Sequence, residues 1–312
     1  MEQHDLTWAD ALAGPGPFLG EIFALAFVRG VEPLEALRRA GGLMDTLAPR
    51  TPQQIWDLHC FDHGYPEVVS ALALGEWTVL VQPTGYEIES LADALSRGTE
   101  AVGILRHDYA SPCFSHAVNG KFTARFNPRW PDPRPGDCLE PLLPLMREAG
   151  FDTDPVDYDS EDYETEDWNA RYAEPIARSL RLAGLITGVL PSLDQLTAPL
   201  PGTHFESRFS HTRPPVVDNA VHKAAELVSE LALEDTPGLA EALAAARRGD
   251  PVVVTPDSDL GRHVREWSLL ARRASWTLNH ERSRMTDEER ARGTQFANLL
   301  YAMTAAFRAD LA

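Results

Sequence analysis

The feature that most constrains this chain is a pair of two-residue turn signals, each set between strand-like runs. Asn119-Gly120 is the dipeptide that a type I′ hairpin turn favours most, because both central positions of that turn have a positive φ angle. Gly75-Glu76 fits a type II′ turn, in which glycine takes the first central position. The region from Val68 to Phe126 is therefore predicted to fold as paired antiparallel strands.

Each turn also determines which residues face each other across its hairpin. In the first hairpin Leu74 opposes Trp77 on an apolar face, while Thr78 and Gln82 are predicted to point away from the core. For the second hairpin the same counting predicts three buried pairs: Ala117 with Phe122, Ser115 with Ala124, and Cys113 with Phe126. The opposite face is predicted to be wet, and it carries Phe114, His116, Lys121, Thr123 and Arg125.

The 312-residue chain is long enough for two domains. Residues 1–200 combine strand signals with short helices, which predicts an α+β domain with a largely antiparallel sheet and flanking helices. Residues 201–215 are predicted to be a linker, because prolines are frequent there and apolar periodicity is missing. Residues 216–312 repeat apolar side chains at helical spacing, and Thr286 begins a capping box, so an α-helical bundle domain is expected to follow.

The composition is strongly acidic, with 47 Asp and Glu against 28 Lys and Arg and a formal net charge of -19. Nucleic-acid binding needs clustered basic residues, so no nucleic-acid partner is predicted. The negative net charge favours a basic protein as the partner. Neither a membrane-length apolar run nor a secretion signal is present, which predicts no membrane partner and a cytoplasmic location. Cys60, Cys113 and Cys138 are not in Cys-x-x-Cys spacing and are predicted to be reduced thiols.

Residues 151–174 are the most biased stretch, with ten acidic residues and Arg171 as the single basic one. Aromatic residues are interleaved with these acids, and aromatic anchors amid charge are typical of protein interfaces. The other interpretation is a solvated loop that leads into a helix whose N-terminus accommodates acids. The predicted partner-binding residues are Asp157, Tyr158, Asp159, Glu161, Asp162, Tyr163, Glu164, Glu166, Asp167 and Trp168.

A cluster of metal-ligating residue types suggests an alternative function. His59 and His63 enclose a cysteine and an aspartate, and Asp108 and His116 could add ligands from the sheet, as a metal-assisted hydrolase would need. The spacing matches no zinc pattern such as His-Glu-x-x-His, so ordinary loop residues are the simpler interpretation and no metal site is predicted.

No cofactor is predicted either. The chain contains no Gly-x-Ser-x-Gly, Walker or dinucleotide fingerprint, and the prolines of residues 14–20 remove N–H donors that a phosphate would need. A polar patch of His116, Thr123 and Arg125 could hold an anionic ligand, although a solvated sheet face explains these residues better.

Six short motifs follow one another in the first two-thirds of the chain. They are Phe27–Gly30, Gly75–Val81, Leu95–Thr99, Asn119-Gly120 with Arg125–Pro128, Leu145–Phe151 and Leu182–Val189. Together they resemble an actinobacterial domain-of-unknown-function family. The resemblance implies a bacterial cytosolic setting and supports the domain boundary, and it carries no activity, ligand or catalytic residue.

The sequence therefore predicts a non-enzymatic intracellular interaction module, neutralising and immunity-like or regulatory, that binds a basic partner through its acidic segment. In a rival arrangement the segment is clamped internally by arginines of the C-terminal domain. The candidates for that clamp are Arg262, Arg265, Arg272 and Arg273.

Overall fold

The computed structural model describes residues 5–11, 20–131, 139–154, 173–210, 218–275 and 284–307. The chain divides into two compact units. The first unit comprises residues 1–40, 44–56 and 68–203, and the second comprises residues 41–43, 57–67 and 204–312. The second unit therefore includes two short pieces of the N-terminal part of the chain.

In the described part of the chain, the first unit is built on a sheet of eight strands. The strands are β1 (Ile22–Arg29), β2 (Ala48–Arg50), β3 (Val68–Leu74), β4 (Trp77–Gln82), β5 (Glu100–His107), β6 (Cys113–Val118), β7 (Lys121–Phe126) and β8 (Leu200–His204). Their order is β2-β8-β3-β4-β1-β5-β6-β7, with antiparallel pairing. The predicted first hairpin is confirmed, because Leu74 lies opposite Trp77.

Helices cover both faces of this sheet. Up to residue 197 they are α1 (Pro33–Arg39), α2 (Pro52–Leu58), α3 (Glu87–Ser90), α4 (Ala92–Leu95), α5 (Leu143–Glu148), α6 (Pro175–Thr187) and α7 (Leu193–Thr197). On one face, Phe23, Leu25 and Phe27 of β1 share a core with Met146 of α5 and Leu180 of α6. The buried side chains of β1 on this face are every second residue, as the alternation of side chains along a strand predicts.

The other face is covered by α1, α3 and α4. Thr78 Oγ1 donates to the carbonyl of Val31 at 2.6 Å, and the Ile88 N–H donates to Gln82 Oε1 at 3.0 Å. Both side chains are buried with their hydrogen bonds satisfied. Thr78 and Gln82 thus point away from the first core, as predicted, but they are not exposed, because α1, α3 and α4 cover this side of the sheet as well.

The second hairpin leaves its predicted register at a β-bulge. Asn119 and Gly120 have φ angles of 51° and 79°, as a type I′ turn requires. On β7 the pairing passes from Phe122 directly to Ala124, so Thr123 is the inserted residue. Beyond it the pairs are His116 with Ala124, Ser115 with Arg125, and Phe114 with Phe126. The predicted pairs of Ser115 with Ala124 and of Cys113 with Phe126 are therefore wrong.

Two phenylalanines of this hairpin differ in burial from the prediction. Phe114, predicted to lie on the wet face, is fully buried, with its ring centroid 5.2 Å from that of Phe126. Phe122, predicted to be buried, is 39% exposed. Phe122 keeps its predicted partner Ala117, whereas the side of β6 that carries Phe114 faces the first core. The bulge changes the face of the residues beyond Thr123, because successive side chains of a strand point to opposite faces, and so brings Phe126 next to Phe114.

The second unit contains the C-terminal helices α8 (Ala220–Glu230), α9 (Leu239–Arg248), α10 (Asp259–Ala274) and α11 (Asp287–Ala306). Trp267 of α10 stacks on Phe296 of α11 with centroids 5.9 Å apart, inside a core shared by all four helices. The predicted capping box is present, with the Thr286 N–H donating to the side chain of Glu289 at 2.7 Å. The α+β class with a following helical bundle is confirmed.

The structure differs from the predicted linker at residues 201–204. These residues belong to β8, which lies between β2 and β3. Pro201 opposes Pro49 of β2, so neither residue brings an N–H donor that the strand pair must satisfy. A Cβ atom at Gly202 would lie 2.6 Å from Ser70 Oγ, so glycine allows the close approach of β8 to β3. A high proline content is therefore compatible with a strand inside this sheet.

Candidate functional site

The predicted partner-binding residues, Asp157 to Trp168, lie outside the described residues. The chain approaches this acidic segment from Phe151, which is buried in the first core, and continues after it into α6 at Pro175. Asp152 Oδ1 accepts a hydrogen bond from the Asp154 N–H at 3.0 Å immediately before the segment. The described residues on either side of the segment thus belong to the first unit.

A cleft of about 530 Å³ lies at the start of α6. The charged residues of this acidic cleft are Asp5, Asp10, Glu174 and Arg181. Asp10 accepts hydrogen bonds from the N–H groups of Ile176 and Ala177 at 3.0 and 2.8 Å, and burial raises its pKa despite these bonds. Glu174 is paired with Arg181 at 3.0 Å. With three carboxylates and one guanidinium, the ionised cleft is negative.

The two histidines of the proposed metal cluster belong to the second unit. His59 is half-buried, its ring lies edge-on to Tyr65 at 5.4 Å, and burial lowers its pKa. His63 is exposed. Burial of His59 favours the neutral imidazole, so this ring serves as a packing residue beside Tyr65.

Arginines of α10 hold the backbone of the same loop. Arg272 Nε donates to the Gly64 carbonyl at 3.2 Å, and Arg273 donates to the carbonyls of Phe61 and Asp62 at 3.0 and 2.8 Å. Charge-assisted bonds of this kind are among the stronger hydrogen bonds in proteins. The loop is therefore held in place by hydrogen bonds to its backbone carbonyls, and these bonds do not involve the side chains of His59 and His63.

Asp108 and His116 lie in the first unit, and each has partners of its own. Asp108 accepts hydrogen bonds from Arg106 at 2.7 and 3.0 Å. His116 Nε2 lies 2.8 Å from Glu100 Oε1, and its Nδ1 lies 2.9 Å from Thr123 Oγ1. The four residues of the alternative hydrolase are thus divided between two units. Within the described ranges, no group of three or more His, Cys, Asp or Glu could hold a metal ion.

The predicted anion patch is split by the bulge. Arg125 opposes Ser115 and so points away from the sheet face of His116. Its guanidinium pairs at 3.2 Å with Glu89 of α3, which is 1% exposed, and also donates to Cys113 Sγ at 3.3 Å. Burial raises the pKa of the Cys113 thiol to about 12, and the Glu89 carboxylate adds to this rise. Burial would lower the pKa of Arg125, but Glu89 and Cys113 raise it on balance.

Gly103 brings Glu89 against the sheet. A Cβ atom at Gly103 would lie 2.4 Å from Ser115 Oγ and 3.1 Å from Glu89 Cγ. Glu89 Oε1 and Ser115 Oγ are buried there without a hydrogen-bond partner among the described atoms. Because Glu89 is almost completely buried and its partner is Arg125, we interpret the pair of Glu89 with Arg125 as structural.

Exposed aromatic residues gather instead at one end of the sheet. We call Glu21, Tyr86, His107 and Tyr109 the tyrosine surface. The ring of His107, at the end of β5, lies 5.9 Å from that of Tyr86 and 6.5 Å from that of Tyr109. Tyr86 is 55% exposed and Tyr109 is 74% exposed, whereas large aromatic side chains are usually mostly buried.

Hydrogen bonds hold the tyrosine surface in place. The Tyr109 hydroxyl donates to the carboxylate of Glu21, which raises the pKa of Tyr109 and keeps its phenol neutral. The Asp108 N–H donates to the Glu21 carbonyl at 2.9 Å and so joins the loop after β5 to the start of β1. Arg129, which follows β7, reaches Asp108 at 3.6 Å.

Sequence reasoning missed the tyrosine surface, because its members are far apart along the chain. Each lies next to a strand end: Glu21 before β1, Tyr86 after β4, and Tyr109 after β5. Antiparallel pairing brings the start of β1 and the ends of β4 and β5 together. The available signal was an aromatic residue shortly after each of two predicted strands, which becomes informative only once the strand order is known.

One protein family accounts for most of the first unit. Its sequence profile matches residues 2–198, about two-thirds of the chain. The chain belongs to the Family of unknown function (DUF6461). The DUF6461 region includes the whole tyrosine surface and ends just before β8, and the family has no assigned activity.

No curated protein and no solved structure matched this DUF6461 chain. Among the helices that the structure describes, none is sufficiently long and apolar to cross a membrane.

Proposed function

We propose that this protein is a non-enzymatic interaction module of the cytoplasm, with a neutralising, immunity-like or regulatory role, and that its acidic segment binds a basic protein. The observation that carries the proposal is the acidic cleft. Asp5, Asp10 and Glu174 form a further group of carboxylates on the folded surface where α6 begins, a few residues after the acidic segment in the sequence. A basic partner would therefore meet both the segment and a fixed set of carboxylates.

The overall charge supports the same kind of partner. With a formal net charge of -19, the protein attracts cations over a distance and repels acidic molecules. Complementary charge of this kind raises association rates and selects partners, while aromatic side chains contribute the larger share of the binding energy. Tyr158, Tyr163 and Trp168 provide such side chains within the acidic segment.

The internal clamp is the weaker arrangement, because its arginines have other partners. Arg272 and Arg273 bind the backbone of the loop at residues 61–64. Arg262 donates to the Asp257 carbonyl at 2.8 Å. A clamp on the acidic segment would have to break these bonds, whereas a basic partner would bring its own cations.

The test replaces Asp159, Glu161, Asp162, Glu164 and Glu166 with Asn or Gln in the full-length protein. Partners are recovered from a lysate of the native host and identified by mass spectrometry, and the melting temperature is measured in parallel. We expect a basic protein to bind the wild type and to be lost from the variant, with no change in melting temperature. Binding should weaken as the salt concentration is raised, and this loss should be measurable well before the Debye length has fallen to about 3 Å.

A matched control makes the same change in net charge on the second unit. It replaces five exposed acids with their amides: Glu230, Glu234, Asp235, Glu241 and Glu288. This control should retain the partner. If both variants lose it equally, only total charge matters and the acidic segment is not the binding site; if the segment variant melts at a lower temperature and loses no partner, the internal clamp is correct.

A further inference from the structure

We propose that the tyrosine surface binds the side chain of an arginine or lysine that a partner protein presents, with the cation over the tyrosine rings and beside Glu21. This inference rests on the proposed function, because it places a second contact for a basic partner on the folded part of the first unit.

The first argument is the chemistry of the rings. The faces of aromatic rings carry negative charge density and attract cations within about 6 Å of the ring centroid. Tyr86 and Tyr109 flank His107 at 5.9 and 6.5 Å, so three ring systems lie next to one another at the surface. The two tyrosines are more than half exposed, so a side chain from another molecule can contact them.

The second argument is the charge beside these rings. Glu21 accepts a hydrogen bond from the Tyr109 hydroxyl, and among the described side chains no Arg, Lys or His forms an ion pair with it. Its carboxylate can therefore accept a further hydrogen bond from a guanidinium or an ammonium group. Arg106 and Arg129 contact the carboxylate of Asp108 at 2.7 and 3.6 Å, and neither forms an ion pair with Glu21.

The third argument is rigidity. His107 is the last residue of β5, and Tyr86 immediately precedes α3, so two of the three rings are attached to regular elements. Arg106 is 4% exposed and donates to the Ala9 carbonyl at 3.0 Å, and this hydrogen bond fixes the end of β5 next to His107. Binding then orders few groups, which reduces the entropic cost of association.

A small probe isolates this contact from the acidic segment. The full-length protein, labelled with ¹³C on its tyrosine rings, is titrated with acetyl-Gly-Arg-Gly-amide and followed by NMR. The same peptide with citrulline in place of arginine keeps the shape and removes the charge. We expect the arginine peptide to shift the ring signals of Tyr86 and Tyr109, and the citrulline peptide to shift them much less.

Substitutions then assign the contact. Tyr86→Ala and Tyr109→Ala should each weaken binding of the arginine peptide about two- to fivefold, the effect of one exposed cation–π contact. Tyr86→Phe keeps the ring and should bind as the wild type does. Glu21→Gln should weaken binding and also reduce its salt dependence.

Trp56→Ala is the matched control, since Trp56 is an equally exposed aromatic residue of the first unit, 53% accessible. Equal binding of both peptides, or equal binding by the wild type and both alanine variants, would overturn the inference. The proposed function and the tyrosine surface are tested by different results. If neutralising the acidic segment removes the lysate partner but the arginine peptide does not bind, the proposed function is supported and the tyrosine surface is rejected. Peptide binding that persists after that neutralisation supports the tyrosine surface by itself.

Discussion

A small set of buried polar residues determines how α3 lies on the sheet. Glu89 is almost completely buried, and its main compensation is the guanidinium of Arg125. Removing one member of such a pair is strongly destabilising, because it leaves a charge without a partner away from water. Gly103 makes the arrangement feasible, since any side chain there would meet Ser115 and Glu89. Cys113 contacts Arg125 at the edge of this group, and the charge of Glu89 contributes to the raised pKa of its thiol.

The thiol of Cys113 should react slowly. Its pKa of about 12, raised first by burial and then by Glu89, leaves little thiolate near neutral pH. At pH 8 we expect iodoacetamide to alkylate Cys113 at least about a hundredfold more slowly in the folded protein than in urea, as measured by peptide mass spectrometry. The rate should keep rising above pH 9 until the protein unfolds, and a plateau near pH 9 would contradict the raised pKa.

The same shift has a consequence for stability. The folded protein keeps the Cys113 proton to higher pH than the unfolded chain does, so the unfolded chain binds fewer protons between about pH 9 and 12. The contribution of this thiol is therefore fully present below pH 9 and is lost as the pH rises through that window.

At the scale of elements, turns and caps could be predicted, because they depend on neighbouring residues. The type I′ turn at Asn119-Gly120 and the capping box at Thr286 both follow from a few adjacent side chains. The bulge at Thr123 could not be predicted, because it depends on how β7 packs against the core and β6. The burial of Thr78 also required knowledge of a helix distant in the sequence.

The turn itself can be tested by replacing Gly120 with valine. Gly120 has a φ angle of 79°, which a β-branched residue adopts only under strain. We expect the free energy of unfolding to fall by about 1 to 3 kcal/mol, measured by urea denaturation. Gly20→Val is the control, because a Cβ atom there would have no neighbour within 4 Å and its φ angle is not positive. Equal stability of the two variants would show that the turn carries no such strain.

For the whole molecule, the strand signals and the helical spacing of apolar residues predicted an α+β domain followed by a helical bundle, but they did not predict where one ends and the other begins. The acidic segment was visible as a run of like residues, whereas the tyrosine surface required the strand order. β8 and the loop at residues 57–67 both make contacts with distant parts of the sequence. β8 pairs in a sheet whose β3 lies well over a hundred residues earlier, and the loop belongs to the same unit as the C-terminal helices. Local patterns carry no information about such pairings.

Two fragments test this boundary. A fragment of residues 1–199 keeps the whole family region but lacks β8, so β2 and β3 lose the strand between them. A fragment of residues 1–206 retains β8 and the hydrogen bond from the Phe205 N–H to the Glu67 carbonyl at 3.0 Å. We expect only the longer fragment to unfold cooperatively in a thermal melt monitored by circular dichroism. Cooperative unfolding of both fragments would place the boundary near residue 200, as the proline-rich composition suggests.

The position of β8 also sets an order of events during synthesis. β2 and β3 leave the ribosome early, but the strand that joins them is made only after α6 and α7. Until residue 204 has emerged, the facing edges of β2 and β3 have no permanent partner, and unpaired edges are where strands associate wrongly. The nascent chain should therefore depend on chaperones for longer than a domain of this size that is assembled from adjacent hairpins.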